Sequence, residues 1–167
     1  MNIVIKLMET DAEIRGKAYV HWKSWQESYS CLLDSAFLES RPLENCVSIA
    51  HRWAENTLIA KDGEKVIGFA AYGSCQDGDL RDAGEISALY LLAEYHGQGI
   101  GYRLLCEALD RLGEFQRIVV WVLEGNERAI RFYERCGFQG DGKEKEIMLG
   151  SPRKEIRMIL ENSIPIS

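Results

Sequence analysis

The chain has 167 residues, of which 46% are hydrophobic and 28% charged, and this composition predicts one globular domain over residues 1–167. Its formal net charge of −6 comes from interleaved acidic and basic residues without a basic stripe, which argues against nucleic acid as a partner. The chain has neither an apolar run of the roughly 20 residues that span a membrane nor a signal-peptide pattern, so we expect a cytoplasmic protein without a membrane partner.

The cysteines and histidines do not form a recognisable metal-binding or disulfide pattern. The five cysteines are odd in number, widely scattered and without a C-x-x-C pair: Cys31, Cys46, Cys75, Cys106 and Cys136. The three histidines, His21, His51 and His96, share no ligand spacing. We therefore expect neither a disulfide framework nor a metal site.

The first third of the chain is predicted to be one strand followed by helices. The strand covers residues 3–8, and a helix over residues 11–25 is indicated by apolar side chains at helical spacing, namely Ile14, Ala18, Tyr19, Trp22 and Trp25. Two further helical segments are expected at residues 34–39 and 43–53. Pro42 precedes the second of them and suits the start of a helix.

The middle of the chain reads as a hairpin followed by a parallel crossover. Residues 57–61 and 65–74 flank Asp62-Gly63, a dipeptide typical of antiparallel hairpin turns. A strand at residues 84–92, a helix at 99–112 and a buried apolar strand at 117–123 follow. Because a helix connects the last two strands, they are predicted to be parallel.

The last part begins with a well-bounded helix and continues in strands. Asn126 is a suitable cap for a helix over residues 127–136, which Gly137 terminates. Short strands are expected near residues 138–139, 145–149 and 155–160. The pattern as a whole predicts a mixed sheet with helices, an α/β or α+β single domain.

A glycine-rich turn at residues 94–102 joins the strand at 84–92 to the following helix. Gly97, Gly99 and Gly101 expose backbone N–H groups where the helix begins, an arrangement that suits a phosphate or pyrophosphate. A tight connection without a ligand is the alternative. The spacing does not match a dinucleotide fingerprint, and Tyr102-Arg103 stand where a P-loop needs lysine and then serine or threonine.

Two separated segments together resemble the GNAT family of N-acetyltransferases. They are LYLLAEYHGQGIG at residues 89–101 and FYERCGF at residues 132–138, with Asn126 between them. The resemblance covers the order and spacing of elements over about residues 57–138. It implies a central mixed, twisted sheet of about six to seven strands flanked by helices, with two parallel strands splayed around acetyl-coenzyme A.

The resemblance also implies which residues bind the coenzyme. In the family, the pyrophosphate is held by a short sequence pattern: Arg or Gln, any two residues, Gly, any one residue, and then Gly or Ala. Gly99 and Gly101 match the last two fixed positions of this pattern. His96 stands at the first position, in place of the long side chain. The pantetheine arm is expected against the backbone of the preceding strand. The implied cofactor-binding residues are Leu89, Tyr90, Leu91, His96, Gly97, Gln98, Gly99, Ile100, Gly101, Tyr102, Asn126 and Tyr133.

Acetyl transfer to an amine needs a neutral nitrogen, an oxyanion donor and a proton for the departing thiolate. By resemblance, Glu85 is the candidate base and Tyr133 the candidate acid, while a backbone N–H around Leu91 is the expected oxyanion donor. Glu85 lies six residues before Leu91, so a regular strand places both on one face, and a bulge between them reverses this. The alternatives are a solvated Glu85, a Tyr133 that only packs, and an Asn126 that only caps its helix.

The predicted reaction is direct attack of a primary amine, from a small molecule or a peptide, in a ternary complex. The acceptor wall is expected near the first helices, where Trp22, Trp25, Glu27 and Tyr29 are candidates and core packing of the aromatic residues is the alternative. The late strands are candidates for a homodimer interface. A non-catalytic coenzyme A binding or sensing module and a nucleotide-binding domain remain as alternative functions.

Overall fold

Seven strands form one sheet in the computed structural model, which describes residues 1–162. The strands are β1 (Ile3–Leu7), β2 (Thr57–Asp62), β3 (Lys65–Ser74), β4 (Gly84–Leu91), β5 (Arg117–Leu123), β6 (Gln139–Met148) and β7 (Pro152–Glu161). The helices are α1 (Asp11–Tyr29), α2 (Ser35–Glu39), α3 (Leu43–Arg52), α4 (Ile100–Arg111) and α5 (Glu127–Arg135). The mixed α/β architecture with seven strands confirms the predicted fold class.

The strand order is β1-β2-β3-β4-β5-β7-β6, and β4 and β5 are the parallel pair within it. These two strands pair only at their beginnings, where Gly84 lies opposite Ile118 and Glu85 opposite Val119. All the other neighbouring strands are antiparallel. Beyond Glu85 the two parallel strands separate, so the middle of the sheet opens into a gap.

Helices α1 and α4 cover opposite faces of the sheet. Tyr90 of β4 stacks on His21 of α1 with 5.8 Å between the ring centroids. The next residue, Leu91, lies beside Leu104 of α4, and together they leave no room for a Cβ atom at Gly68 of β3. Because neighbouring residues of a strand point to opposite faces, the gap between β4 and β5 has one helix on each side.

A bulge in β4 decides which face Glu85 occupies. Ala88 lies opposite Ala71, whereas Ile86 lies opposite Tyr72, so one additional residue, Ser87, is inserted on β4. The insertion reverses the alternation of faces that a regular strand follows. Glu85 therefore lies on the face of Tyr90 and α1, and not on that of Leu91.

The largest differences from the predicted element boundaries concern β6 and α1. The segments predicted as separate strands at residues 138–139 and 145–149 are joined in one strand, β6, that is irregular between Gly140 and Glu144. Gly142 there has a φ of +85°, a conformation that interrupts the apolar and polar alternation on which the prediction relied. Helix α1 continues to Tyr29, beyond the predicted end at residue 25, because Trp25 and Tyr29 pack edge to face.

Helix α1 begins with a reciprocal cap that carries a buried charge. Thr10 accepts a hydrogen bond from the Glu13 N–H, and the Glu13 carboxylate accepts from the N–H groups of Thr10 and Glu9. The Lys6 ammonium lies 2.7 Å from the same carboxylate. Burial alone would raise the pKa of Glu13, but the Lys6 and backbone donors lower it to about 2.

Glu13→Gln is expected to lower the free energy of unfolding at pH 7 by about 1–3 kcal/mol, since it removes a charged acceptor from three donors. A carboxyl with a lowered pKa stabilises the folded state above its ordinary pKa of 4.5 and loses this contribution as the pH falls towards about 2. Urea unfolding between pH 7 and pH 2 measures this contribution to the free energy of unfolding, with the exposed Glu9→Gln as the matched control. Parallel stability curves for the parent and Glu13→Gln over this range would contradict the assignment.

Candidate active site

A cleft with a volume of about 610 Å³ fills the gap between β4 and β5. Its walls come from the second half of β4, the glycine turn and the start of α4 on one side. The end of β5, helix α5 and Glu155 of β7 form the other side, and Ser28 and Tyr29 of α1 close one end. The cleft thus lies where the two parallel strands diverge, beside the first turn of α4.

The backbone of β4 offers hydrogen-bonding groups to this cleft. The Leu92 N–H donates to the Ile67 carbonyl of β3 over 2.9 Å, which makes Leu91 and Gly68 a non-hydrogen-bonded pair in the antiparallel ladder. The N–H and C=O groups of Leu91, and of Leu89 two residues earlier, therefore point away from β3 and towards β5. The Leu91 carbonyl accepts a hydrogen bond from His96, so an extended, amide-containing ligand in the cleft would meet the Leu91 N–H and both backbone groups of Leu89.

The glycine turn has the geometry of an anion site. Gly97 and Gly99 adopt left-handed φ values of +78° and +79°, and a Cβ atom at either position would meet no atom within 4 Å. Helix α4 begins at Ile100, and its first intrahelical bond is from the Arg103 N–H to the Gly99 carbonyl. The preceding N–H groups, together with the positive end of the helix dipole, are directed at open space.

His96 closes the turn and does not extend from it. Its Nε2 lies 2.8 Å from the carbonyl oxygen of Leu91, a contact that requires a proton on Nε2. Burial lowers the pKa of His96, with a smaller contribution in the same direction from the charge of Arg128. The ring is therefore neutral at pH 7 and anchors the turn to the end of β4.

Two arginines of α5 line the cleft and were not among the residues predicted from the sequence. Arg128 and Arg135 lie on α5, whose Phe132 is beside Gly101 at the start of α4, and they bring positive charge to the cleft. Their spacing of seven residues, two turns of a helix, places both on one side of α5. That spacing is the sequence signal that would have found them.

Asn126 and Tyr133 both line the cleft, from the start and the middle of α5. The Asn126 side chain accepts a hydrogen bond from the Ala129 N–H, as the capping prediction requires. Tyr133 is only 8% exposed and packs against Phe132 and Phe138. Burial raises the pKa of Tyr133 well above its usual range, so its hydroxyl group is protonated and able to donate at pH 7.

Glu85 lies beside the cleft and does not line it. Ser87, two residues farther along β4, does line it. Glu85 is partly buried near Cys75 and Asp77, and the three side chains place candidate ligand atoms within 4.8 Å of one another. Burial raises the pKa of Glu85, the negative charge of Asp77 raises it further, and the Lys145 ammonium opposes both.

The cluster of Cys75, Asp77 and Glu85 is tied into the protein by hydrogen bonds. Arg157, only 4% exposed, contacts Asp77, and the indole N–H of Trp121 donates to the same carboxylate over 3.1 Å. Burial raises the pKa of the Cys75 thiol to about 11, so it is protonated at pH 7. The chemistry of the cluster therefore favours a hydrogen-bonded role.

Of the four predicted acceptor-wall residues, only Tyr29 lines the cleft. Its hydroxyl group lies 3.3 Å from that of Tyr90. Trp22 packs with a small cluster between α1 and α3 and donates to the Arg41 carbonyl, and Trp25 lies under the Arg41 guanidinium. The Glu27 carboxylate accepts a hydrogen bond from the Ala93 N–H, which fixes the start of the glycine turn.

The predicted cofactor residues gather in the cleft, with one exception. Gln98 lies at the outer side of the turn and does not line the cleft. The residues that do line it are Leu89, Tyr90, Leu91, His96, Gly97, Gly99, Ile100, Gly101, Tyr102, Asn126 and Tyr133. Trp121 and Glu155 also line it and were missed, because they come from strands whose neighbours are set only by the folded sheet.

The sequence was compared with known protein families, and residues 19–138 match the acetyltransferase (GNAT) family. The chain belongs to the GNAT family. This result confirms the resemblance that the glycine turn and the segment at 132–138 indicated. Within residues 1–162, no helix combines the length and the apolar character that crossing a membrane requires.

Relatives in the GNAT family include bacterial and eukaryotic proteins. The uncharacterised N-acetyltransferase YuaI of Bacillus subtilis is 32% identical over 129 residues, which cover 73% of this chain and 72% of YuaI. N-alpha-acetyltransferase 30 of Schizosaccharomyces pombe is 34% identical over 90 residues, covering 53% of this chain and 60% of that protein.

Solved structures share the fold along almost the whole chain. PaiA N-acetyltransferase of Thermoplasma acidophilum, crystallised with coenzyme A, gives a TM-score of 0.74 over 96% of this chain and 99% of PaiA, at 22% identity. YncA of Salmonella typhimurium, solved with acetyl-CoA, gives 0.70 over 98% of this chain and 95% of YncA, at 17% identity. At these sequence identities the structural similarity shows that the fold is shared and nothing more.

Proposed function

We propose that the protein transfers an acetyl group from acetyl-CoA to a primary amine of a small molecule or a peptide, by direct attack in a ternary complex. The observation that carries this proposal is the cleft between the splayed strands β4 and β5, with the glycine turn at one end and Tyr133 in its wall. Membership of the GNAT family supports it. Two of the related proteins are named as N-acetyltransferases.

The residues around the cleft fit acetyl-CoA. The open space at Gly97 and Gly99 and the free N–H groups of α4 suit a pyrophosphate, and Arg128 and Arg135 supply positive charge nearby. The outward-facing backbone of Leu89 and Leu91 suits the amides of a pantetheine arm. When bound, acetyl-CoA supplies the acetyl group as an activated thioester.

The protein's own groups have three roles in this proposal. Glu85 accepts the proton of the acceptor ammonium through water, because its carboxylate lies beside the cleft. The backbone N–H of Leu91 points into the gap and donates to the oxygen on which negative charge develops. The buried Tyr133 hydroxyl donates the proton that the leaving sulfur needs.

Thiol release with a panel of amines tests the proposed activity. Release of free coenzyme A from acetyl-CoA that depends on an added amine, with the acetylated amine found by mass spectrometry, is the expected result. Tight coenzyme A binding without acceptor-dependent release would favour a non-catalytic binding or sensing module. Thermal stabilisation by ATP or NAD and not by acetyl-CoA would favour a nucleotide-binding domain.

Gly99→Ala is expected to weaken coenzyme A binding by about tenfold or more, because a Cβ atom strains the left-handed backbone and enters the proposed anion site. Gly63→Ala is the matched control, since Gly63 has a φ of +61°, has the same open space and lies in the β2–β3 turn. Isothermal titration with coenzyme A measures both variants. Equal affinities for Gly99→Ala and Gly63→Ala would remove the turn from the binding site.

We further propose that residues 1–167 form one domain and that the protein is a homodimer. Strand β6 supports the proposed homodimer, since it is the outermost strand of the sheet and is exposed along almost its whole length. Within residues 1–162 no strand pairs with the outer edge of β6, so its backbone groups are open to another strand. Light scattering during gel filtration tests the oligomeric state, and a monomer mass would reject the dimer.

A further inference from the structure

The side-chain ammonium of Lys145 occupies a defined position beside the cleft. It lies 4.2 Å from the centroid of the Trp121 ring and 3.6 Å from a carboxylate oxygen of Glu155. An ammonium over an indole face is a favourable cation–π contact. Trp121 and Glu155 themselves line the cleft, so the protein places a primary ammonium at the cleft wall.

The sheet register explains why these groups meet. Leu123 of β5 lies opposite Glu155 of β7, and Glu155 lies opposite Lys145 of β6. Residues that face each other across neighbouring strands share one face of the sheet, and Trp121, two residues before Leu123, shares it as well. Glu85 is on the same side, since it lies opposite Val119, two residues before Trp121.

The charges along the cleft are divided between its two ends. Arg128 and Arg135 belong to α5, whose Phe132 lies beside Gly101 of the glycine turn, where phosphates are expected. Glu155 is the only residue with a carboxylate that lines the cleft within the described part of the chain, and it lies opposite Leu123, which packs in one cluster with Tyr29 at the α1 end. A carboxylate beside an indole face binds a cation, and no phosphate would be stable there.

We propose that Trp121 and Glu155 form the binding site for a primary alkylammonium group of the acceptor, and that Lys145 occupies this site until the acceptor displaces it. The inference rests on the proposed function, in which Glu85 accepts the acceptor's proton; Glu85 lies opposite Val119, two residues before Trp121. The inference narrows the acceptor to amines carried on an unbranched alkyl chain, as in an aliphatic diamine or a lysine side chain.

Lys145 is able to leave this position at little cost. Its side chain is 44% exposed and extends from the exposed edge strand β6. An ion pair of this exposure is weak, and an acceptor ammonium would replace both of its contacts. Lys145 therefore competes with the acceptor and lowers the affinity of the site without closing it.

Binding of n-butylamine to the complex of the protein with coenzyme A tests the inference without any turnover. Isothermal titration at pH 7 is expected to give about three- to tenfold tighter binding for Lys145→Ala and similarly weaker binding for Glu155→Gln. Lys154→Ala is the matched control, since Lys154 pairs with Glu144 across the same two strands. Unchanged butylamine affinity in Lys145→Ala and Glu155→Gln would overturn the inference.

Turnover assays separate the inference from the proposed function. 1,4-Diaminobutane and a lysine peptide with a blocked N-terminus represent the two sources of the alkylammonium, and the KM of at least one should fall in Lys145→Ala. Aniline, which is neutral at pH 7, should show no change. If Lys145→Ala and Glu155→Gln shift butylamine affinity but no amine is turned over, the transferase proposal is rejected and the cation site is kept. If both amines are turned over and their KM is unchanged in Lys145→Ala, the cation site is rejected.

Discussion

Tyr133→Phe is expected to lower kcat by about 10²- to 10⁴-fold, the usual contribution of a positioned general acid. The substitution removes one hydroxyl group and keeps the ring that packs between Phe132 and Phe138. Because the phenol is buried, its pKa lies far above 7 and the proton is present throughout the neutral range. The loss should therefore be the same at pH 6 and pH 9.

Steady-state kinetics and coenzyme A titration together measure this effect. Affinity for coenzyme A should stay within about twofold of the parent, since the acid acts on a charge that develops only during the reaction. Tyr19→Phe is a suitable control because Tyr19 is 40% exposed on α1, outside the cleft. If kcat of Tyr133→Phe equals that of the control, Tyr133 only packs and the acid is another group.

The order of elements was predictable because each part of the chain has a strong local signal. The Asp62-Gly63 turn, the apolar stripe of α4 and the Asn126 cap each specify a structure from neighbouring residues alone. The bulge at Ser87 has no such signal, since Ala88 to Leu91 are apolar on both faces and a shift of register leaves their pattern unchanged. The face of Glu85 therefore required the structure.

The residues of the candidate site likewise include some that the local sequence predicts and some that only the folded structure reveals. The glycine turn is contiguous in sequence, and its residues line the cleft as a group apart from Gln98. Trp121 and Glu155 meet because β7 pairs with β5, a long-range contact that periodicity does not encode. Trp22 and Trp25 have helical spacing but are fixed by contacts with Arg41, which lies outside their helix. Local patterns predicted the cleft-lining residues of the glycine turn better than those of β5 and β7.

Glu85→Gln is expected to lower kcat/KM by about 10²-fold near pH 7 and by progressively less as the pH rises. An alkylamine with a pKa near 10 is neutral in only about one molecule in a thousand at pH 7, so the base contributes most there. Each pH unit increases the neutral fraction about tenfold, and near pH 10 the amine no longer needs a base. The ratio of parent to variant should therefore approach one at high pH.

The pKa of Glu85 sets the lower limit of this pH range. Burial raises it, and Asp77 adds to the effect, so the parent should lose activity on acidification at a higher pH than an exposed glutamate would require. Asp77→Asn should shift this acidic limb to lower pH, since it removes a negative charge that disfavours ionisation. The pH profile of Glu85→Gln should lack this acidic limb altogether.

Profiles of kcat/KM from pH 5 to pH 10 for the parent, Glu85→Gln and the exposed control Glu114→Gln distinguish a base from a bystander. A structural role for Glu85 would lower activity by one factor at every pH, because packing does not titrate with the amine. A base gives a ratio that changes with pH in the direction derived above. If the profile of Glu85→Gln is parallel to that of the parent, proton removal from the acceptor is performed by another group or by water alone.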